Sequence, residues 1–179
     1  MIAFAQLKQI MPFAGASAQR FVQPLNEAML EFDISTPLRQ AAFLAQVAHE
    51  SGSLNYVREL ASGAAYDTGV LAARLGNTVV PDGDGQRYKG RGLLQITGRA
   101  NYRNCSLALF RDERLLDHPE LLEQPDAACR SAAWFWNSRD LNPLADAGSF
   151  RAITRVINGG FNGLAERQAF YEKAKAVLS

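Results

Sequence analysis

Two glutamates nine residues apart, Glu50 and Glu59, are the pair in this sequence best placed for acid–base chemistry. Glu50 ends a long apolar stretch, and Ser51-Gly52-Ser53 breaks the pattern immediately after it. Burial and the negative end of the helix dipole both disfavour an ionised carboxyl there, so Glu50 is expected to carry a proton near neutrality. Glu59 lies in a polar segment beside Arg58 and is expected to stay ionised. On an unbroken helix, nine steps of about 100° would set the two side chains on opposite faces. An odd spacing on a strand would do the same. A chain reversal is needed, and the Ser-Gly-Ser turn supplies one. One neutral and one ionised carboxyl facing a common space is the pairing that glycoside hydrolysis uses. The duller reading of the same pair is a solvated helix terminus with a capping contact.

Other chemistries fit less well. The segment H-E-S-G-S lacks the second histidine of a zinc-protease helix. With His49 and His118 the only histidines, a multi-histidine metal site is not expected, and His49 reads as a structural hydrogen-bonding partner. The glycines of G-D-G and G-R-G at 83–92 fit neither phosphate-loop pattern. Asp82 and Asp84 suggest a plain turn rather than a calcium loop. No serine or cysteine occupies a nucleophile elbow. Hydrolysis by two carboxyls and water calls for no cofactor. Gln95, Thr97, Asn101 and Asn158 are uncharged donors and acceptors of the kind that sugar hydroxyls and N-acetyl groups require, although such residues also serve as caps. Trp134 and Trp136 read as core packing rather than sugar stacking.

The elements that must hold these residues are mainly helical. Thr36 and Pro37 open a helix that is apolar nearly all round and runs to Glu50, which marks it as buried. Residues up to Met11 form an amphipathic helix closed by Pro12 and Gly15. Phe21, Leu25, Ala28 and Phe32 mark a second, with Pro24 early in it or at a kink. Ala61 to Gly92 is a long loop rich in Gly and Asp, of the kind that is functional or mobile. Leu93–Thr97 fits a short extended piece with Gln95 and Thr97 on one face. Helical spacing resumes from Asn101 to Phe110. Asp126 caps a second core helix, Ser149 a helix stopped by Gly159-Gly160, and Asn162 can start the last one. The tally is seven or eight helices with little or no β-structure.

Length and composition bound the answer further. A chain of 179 residues, 47% hydrophobic and 21% charged, fits a single domain spanning 1–179 with a substantial core. A formal net charge of +1 gives no electrostatic case for nucleic acid as a partner. No apolar run is long enough for stable membrane insertion. The N-terminus reads as an amphipathic helix rather than a signal peptide. Cys105 and Cys129, without CxxC spacing, read as reduced core residues.

Three blocks then resemble a known family. They are A-A-F-L-A-Q-V-A-H-E-S-G, Y-K-G-R-G-L-L-Q-I-T-G-R-A-N-Y and I-T-R-V-I-N-G-G-F-N-G-L-A-E-R-Q. In order and type they resemble the chitinase-like family 19 glycoside hydrolases, in the compact form similar to phage and prophage endolysins. The resemblance implies a lysozyme-like, two-lobed helical fold with a cleft between the lobes. It implies that Glu50 is the general acid and Glu59 the general base, with Thr97 positioning the attacking water. It further implies that Gln95, Asn101 and Asn158 bind sugar and that Arg167 supports the site electrostatically. Plant members carry a longer insertion between the two glutamates and an acidic residue at the place of Asn162.

The expected function is therefore an endolysin-type glycosidase that cuts β-1,4 bonds of peptidoglycan with inversion. Inversion implies carboxyls about 6.5–9.5 Å apart. The rival substrate is a GlcNAc polymer, and the rival class is a non-catalytic glycan-binding module. An enzyme of this kind is expected to be a monomer without a separate wall-binding domain. It would wait in the host cytoplasm and reach the periplasmic wall through a membrane pore.

Overall fold

Thr36 starts the helix on which the rest of the molecule packs. Its hydroxyl accepts the Arg39 N–H at 3.2 Å, and Pro37 follows at the first helical position, where no N–H is required. The computed structural model describes all of residues 1–179. The α-helices in chain order are α1 (Phe4–Ile10), α2 (Ser17–Glu31), α3 (Pro37–Glu50), α4 (Gly69–Leu75), α5 (Asp84–Arg87), α6 (Arg99–Phe110), α7 (Arg114–Asp117), α8 (Pro125–Ser138), α9 (Leu141–Asp146), α10 (Phe150–Asn158) and α11 (Leu164–Leu178). Eleven α-helices exceed the seven or eight expected, because α4, α5, α7 and α9 are too short to leave a helical period in the sequence.

Every residue from Ala41 to Ala48 is buried, so α3 is enclosed as its apolar pattern implies. Helix α11 packs along α3, and α2 packs along α8. Phe43 of α3 meets Trp136 of α8 edge to face at 5.6 Å, and the indole N–H donates to Asn142 Oδ1 at 2.8 Å. Burying such a ring contributes about 1.5–3 kcal/mol. Pro24 lies inside α2 rather than ending it; Phe21, Leu25, Ala28 and Met29 stay buried on either side of it.

Two hydrophobic clusters result, and they make the two lobes of a mainly helical, lysozyme-like fold. The larger gathers α1 to α3, most of α8 and α9 to α11. The smaller gathers Tyr88, Ile96, Tyr102, Cys105, Leu109 and the α7 leucines. Helix α8 belongs to both, with Ala127 in the smaller and Ala128 in the larger. Cys105 and Cys129 are buried and free, and burial pushes the Cys105 thiol up to about 12. No helix is long and apolar enough to cross a membrane.

Two expectations change at the lobe junction. Residues 91–96 form a tight turn instead of an extended piece, closed by Arg91 N–H to Ile96 O at 3.1 Å and Ile96 N–H to Arg91 O at 2.7 Å. Alternating L-L-Q-I-T cannot form a strand without a neighbouring ladder, and only isolated bridges, Arg58 with Arg91 and Arg91 with Ile96, occur here. The segment from Ala61 to Gly92 contains α4 and α5 and is braced by buried polar groups. Asp67 Oδ1 accepts the N–H groups of Gly83 and Gly85, each at 3.0 Å. Asn77 accepts the Arg99 N–H at 2.7 Å and donates to Tyr66 O at 2.9 Å.

Candidate active site

The sequence-derived residues gather into two groups, one on each lobe. The first lies at the C-terminal end of α3. Arg167 of α11 is 1% exposed, and its Nη2 ion-pairs with Glu50 Oε1. Arg167 also donates from Nη1 to Gln46 Oε1 and from Nε to Asn162 O, the latter at 3.2 Å. Gln46 in turn donates to Thr154 of α10 at 2.8 Å. Asn158 belongs to the same group: its Oδ1 accepts the Asn162 N–H at 3.1 Å.

His49 turns away from this network. Its Nδ1 lies 2.5 Å from Glu166 Oε2, and its ring rests against Gly163. A Cβ at Gly163 would sit 2.2 Å from His49 Cε1, and Gly163 also has φ +69°, so glycine is required there twice over. Because of this turn, α11 begins at Leu164 rather than at Asn162.

The environment of Glu50 differs from the one expected. Its side chain keeps 22% exposure and faces a guanidinium, so neither full burial nor the helix dipole acts on it unopposed. The α3 pattern reports the helix but not the charge that α11 brings to its end. Arg167→Met should cost about 2–3 kcal/mol, because Gln46 Oε1 and Asn162 O lose a buried donor. Thermal unfolding should then occur roughly 5–10 °C lower, and activity should fall with it.

The second group is built on the smaller lobe. Glu59 N–H donates to Gly90 O at 3.0 Å, and Gly92 N–H donates to Val57 O at 2.9 Å, fixing the Glu59 backbone against residues 90–92. Gly90 is the centre of this group. A Cβ there would lie 2.7 Å from Gln95 Oε1, 3.1 Å from Glu59 Oε2 and 3.2 Å from Thr97 Oγ1. Three oxygens, one from Glu59 and two from the end of the 91–97 turn, therefore converge where only a glycine leaves room. Gln95 has a left-handed backbone, φ +53°, uncommon for a residue with a side chain. Thr97 Oγ1 donates to Gln95 O at 3.0 Å, so its lone pairs remain free to accept. Asn101 supports Thr97 through Nδ2 to Thr97 O at 2.7 Å. Gln95, Thr97 and Asn101 line one pocket together with Trp134, which is half-buried against the smaller cluster, while Trp136 packs fully in the larger one.

Two acceptors in this group have no partner: Glu59 Oε1 and Gln95 Oε1 are both buried. Arg58 does not serve Glu59, as its place in the sequence suggested. It points instead to Glu123, 3.7 Å away. The partner of Glu59 is Tyr66, whose hydroxyl donates to Oε2 at 3.2 Å. Burial and then the Glu59 charge push the Tyr66 phenol up, so it remains a donor. Tyr66 was missed because the Gly- and Asp-rich segment around it carries no chemical signature.

Arg91 was missed as well. It is 8% exposed and holds the turn by donating to Glu123 at 2.8 Å, Arg87 O at 2.7 Å and Tyr102 at 3.0 Å. The Tyr102 hydroxyl donates to Lys89 O at 2.6 Å, and burial pushes that phenol well up.

The fold is helical and two-lobed, with Glu50 at the end of α3 in the larger lobe and Glu59 held against residues 90–92. Residues 32–147 match the sequence model of glycoside hydrolase family 19, described as "Chitinase class I", and the chain belongs to that family. It is a glycoside hydrolase of the chitinase-like kind. A Haemophilus influenzae protein named as containing a glycosyl hydrolase family 19 domain is 30% identical, over 96% of this chain and 94% of that one. An Arabidopsis thaliana endochitinase is 40% identical over 67% of this chain, and the alignment spans 38% of its own length. Among solved structures, a bacterial family 19 chitinase superposes with a TM-score of 0.79 at 23% identity, covering 99% of this chain and 95% of the other. Chitinase C of Streptomyces griseus superposes with a TM-score of 0.77 at 24% identity, covering 99% and 76%.

Proposed function

We propose that this protein hydrolyses β-1,4 bonds of bacterial peptidoglycan with inversion, Glu50 acting as the general acid and Glu59 as the general base. The observation that carries the assignment is the convergence of Gln95 Oε1, Glu59 Oε2 and Thr97 Oγ1 around Gly90, where Gln95 Oε1 is buried without a partner, as is the other oxygen of the same Glu59 carboxyl, Oε1. Such a group needs a donor, and a water molecule answers it. A water giving both protons to acceptors here has its lone pair free to attack an anomeric carbon. Glu59 takes one of those protons as the bond to carbon forms. Tyr66 neutralises part of the Glu59 charge and fixes its rotamer.

On the opposite lobe, Glu50 gives its proton to the leaving glycosidic oxygen. Arg167, itself held by Gln46, keeps that side chain in one orientation. The Glu50 carboxyl keeps 22% exposure, so a sugar oxygen can reach it. Asn158, Gln95 and Asn101 supply the neutral donors and acceptors that orient the sugars.

Peptidoglycan is favoured over chitin by the three sequence blocks, which resemble the compact endolysin form of the family; the bacterial chitinase structures and the plant endochitinase stand for the alternative. Chitin is the second reading, supported by that endochitinase's higher identity of 40%. Purified peptidoglycan and colloidal chitin assayed side by side separate the two. Mass analysis of the reducing ends released from the wall then tells which bond is cut. Faster release from chitin would overturn the peptidoglycan assignment.

Tyr66→Phe is expected to lower kcat roughly tenfold, the worth of one hydrogen bond to a charged group. Substrate binding and the melting temperature should change little. An unaltered kcat would remove Tyr66 from the site.

A further inference from the structure

We propose that Arg151 and Arg155 extend the glycan site along α10 and take a carboxylate carried by the substrate strand, an inference that rests on the glycosidase reading above. A cavity of about 350 Å³ is lined by Ser149, Arg151, Ala152, Arg155 and Phe161, two cations with no acidic residue among them. Arg151 rests over the Phe161 ring, its guanidinium carbon 4.5 Å from the centroid, so its head group is held in place.

Arg151, Arg155 and Asn158 stand at i, i+4 and i+7 and share one face of α10. At 1.5 Å per residue the stripe runs about 10 Å from Asn158, which is joined through Asn162 and Arg167 to Glu50. A glycan strand bound at Asn158 and continuing along α10 would bring its substituents over two unpaired guanidinium groups. Chitin is neutral and offers those groups no charge to pair with. Peptidoglycan carries carboxylates on its peptide stems, and on those lactyl ethers that bear no stem, and a guanidinium receives a carboxylate in bidentate fashion. The stripe is therefore a device for choosing the charged polymer over the neutral one.

The test compares the full-length protein with the double variant R151E/R155E. Initial rates are measured on purified peptidoglycan and on a soluble β-1,4-linked GlcNAc hexamer, at low salt and at 0.15 M. Both arginines are exposed, so the variant is expected to fold, and circular dichroism checks this. The ratio of the peptidoglycan rate to the hexamer rate should fall about tenfold or more at low salt, with a smaller difference at 0.15 M because the attraction is screened. R151Q/R155Q should fall between the double variant and the wild type. Repeating the comparison on peptidoglycan treated with an amidase, which removes the stem carboxylates and frees lactyl ones, tells which carboxylate the stripe accepts: a persisting loss shows that a lactyl carboxylate serves, and a vanished loss assigns the contact to the stem. A ratio within about twofold of wild type on intact peptidoglycan overturns the inference while leaving the hydrolase reading in place. A wild-type protein that releases reducing ends from neither polymer overturns the hydrolase reading itself.

Discussion

Replacing Glu50 by glutamine is expected to lower kcat on glycan about a thousandfold while the protein stays folded. Glutamine keeps the shape of the side chain and can still accept from Arg167, so α3 and α11 should remain docked. The substitution leaves the buried Arg167 guanidinium without its counter-charge, which should cost about 2–3 kcal/mol, a loss the fold should survive. What glutamine cannot do is release a proton to the leaving oxygen. Substrates with an activated aryl leaving group need no such proton, and on these the variant should recover most of its rate. Circular dichroism and paired assays on natural and aryl glycosides check both halves. Full activity on the natural polymer would end the assignment of Glu50.

Glu59→Ala should be as damaging, by roughly a hundred- to a thousandfold, but with a different signature. Here the missing group is the one that takes the proton from water, so a better leaving group should not restore the rate. The fold should survive, because the Glu59 N–H bond to Gly90 O is a backbone contact that alanine retains. Tyr66 loses its acceptor but lies near the surface, where water can replace it. The contrast between the two variants on the same aryl substrate separates an acid from a base without reference to their positions.

How much of this was legible beforehand depends on which residues face each other across the chain. The α3 helix, its Thr36 cap and the reversal after Glu50 follow from local pattern, and the structure has them where the pattern puts them. The partners of the carboxyls do not follow. Arg58 is the residue next to Glu59, yet it turns to Glu123, and the donor on Glu59 comes from Tyr66 within a loop that carries no helical or strand period. Arg167 lies 117 residues beyond Glu50 and meets it only because α11 packs along α3.

Gly90 shows the same limit from the other side. A glycine in a G-R-G run reads as a turn, while its consequence is the room it leaves for three oxygens. Gln95 and Thr97 were expected to share a strand face. They meet instead through a tight turn with Gln95 left-handed, a geometry that alternation in five residues cannot encode.

How water enters decides the roles of both glutamates. Digestion of a soluble β-1,4-linked GlcNAc-containing oligosaccharide by the wild-type protein can be followed by proton NMR before the new reducing ends mutarotate. A water delivered by Glu59 from the face opposite the leaving group gives the α-anomer first. First-formed β-anomer would mean a covalent intermediate in place of the attacking water, and would contradict the roles given to both glutamates.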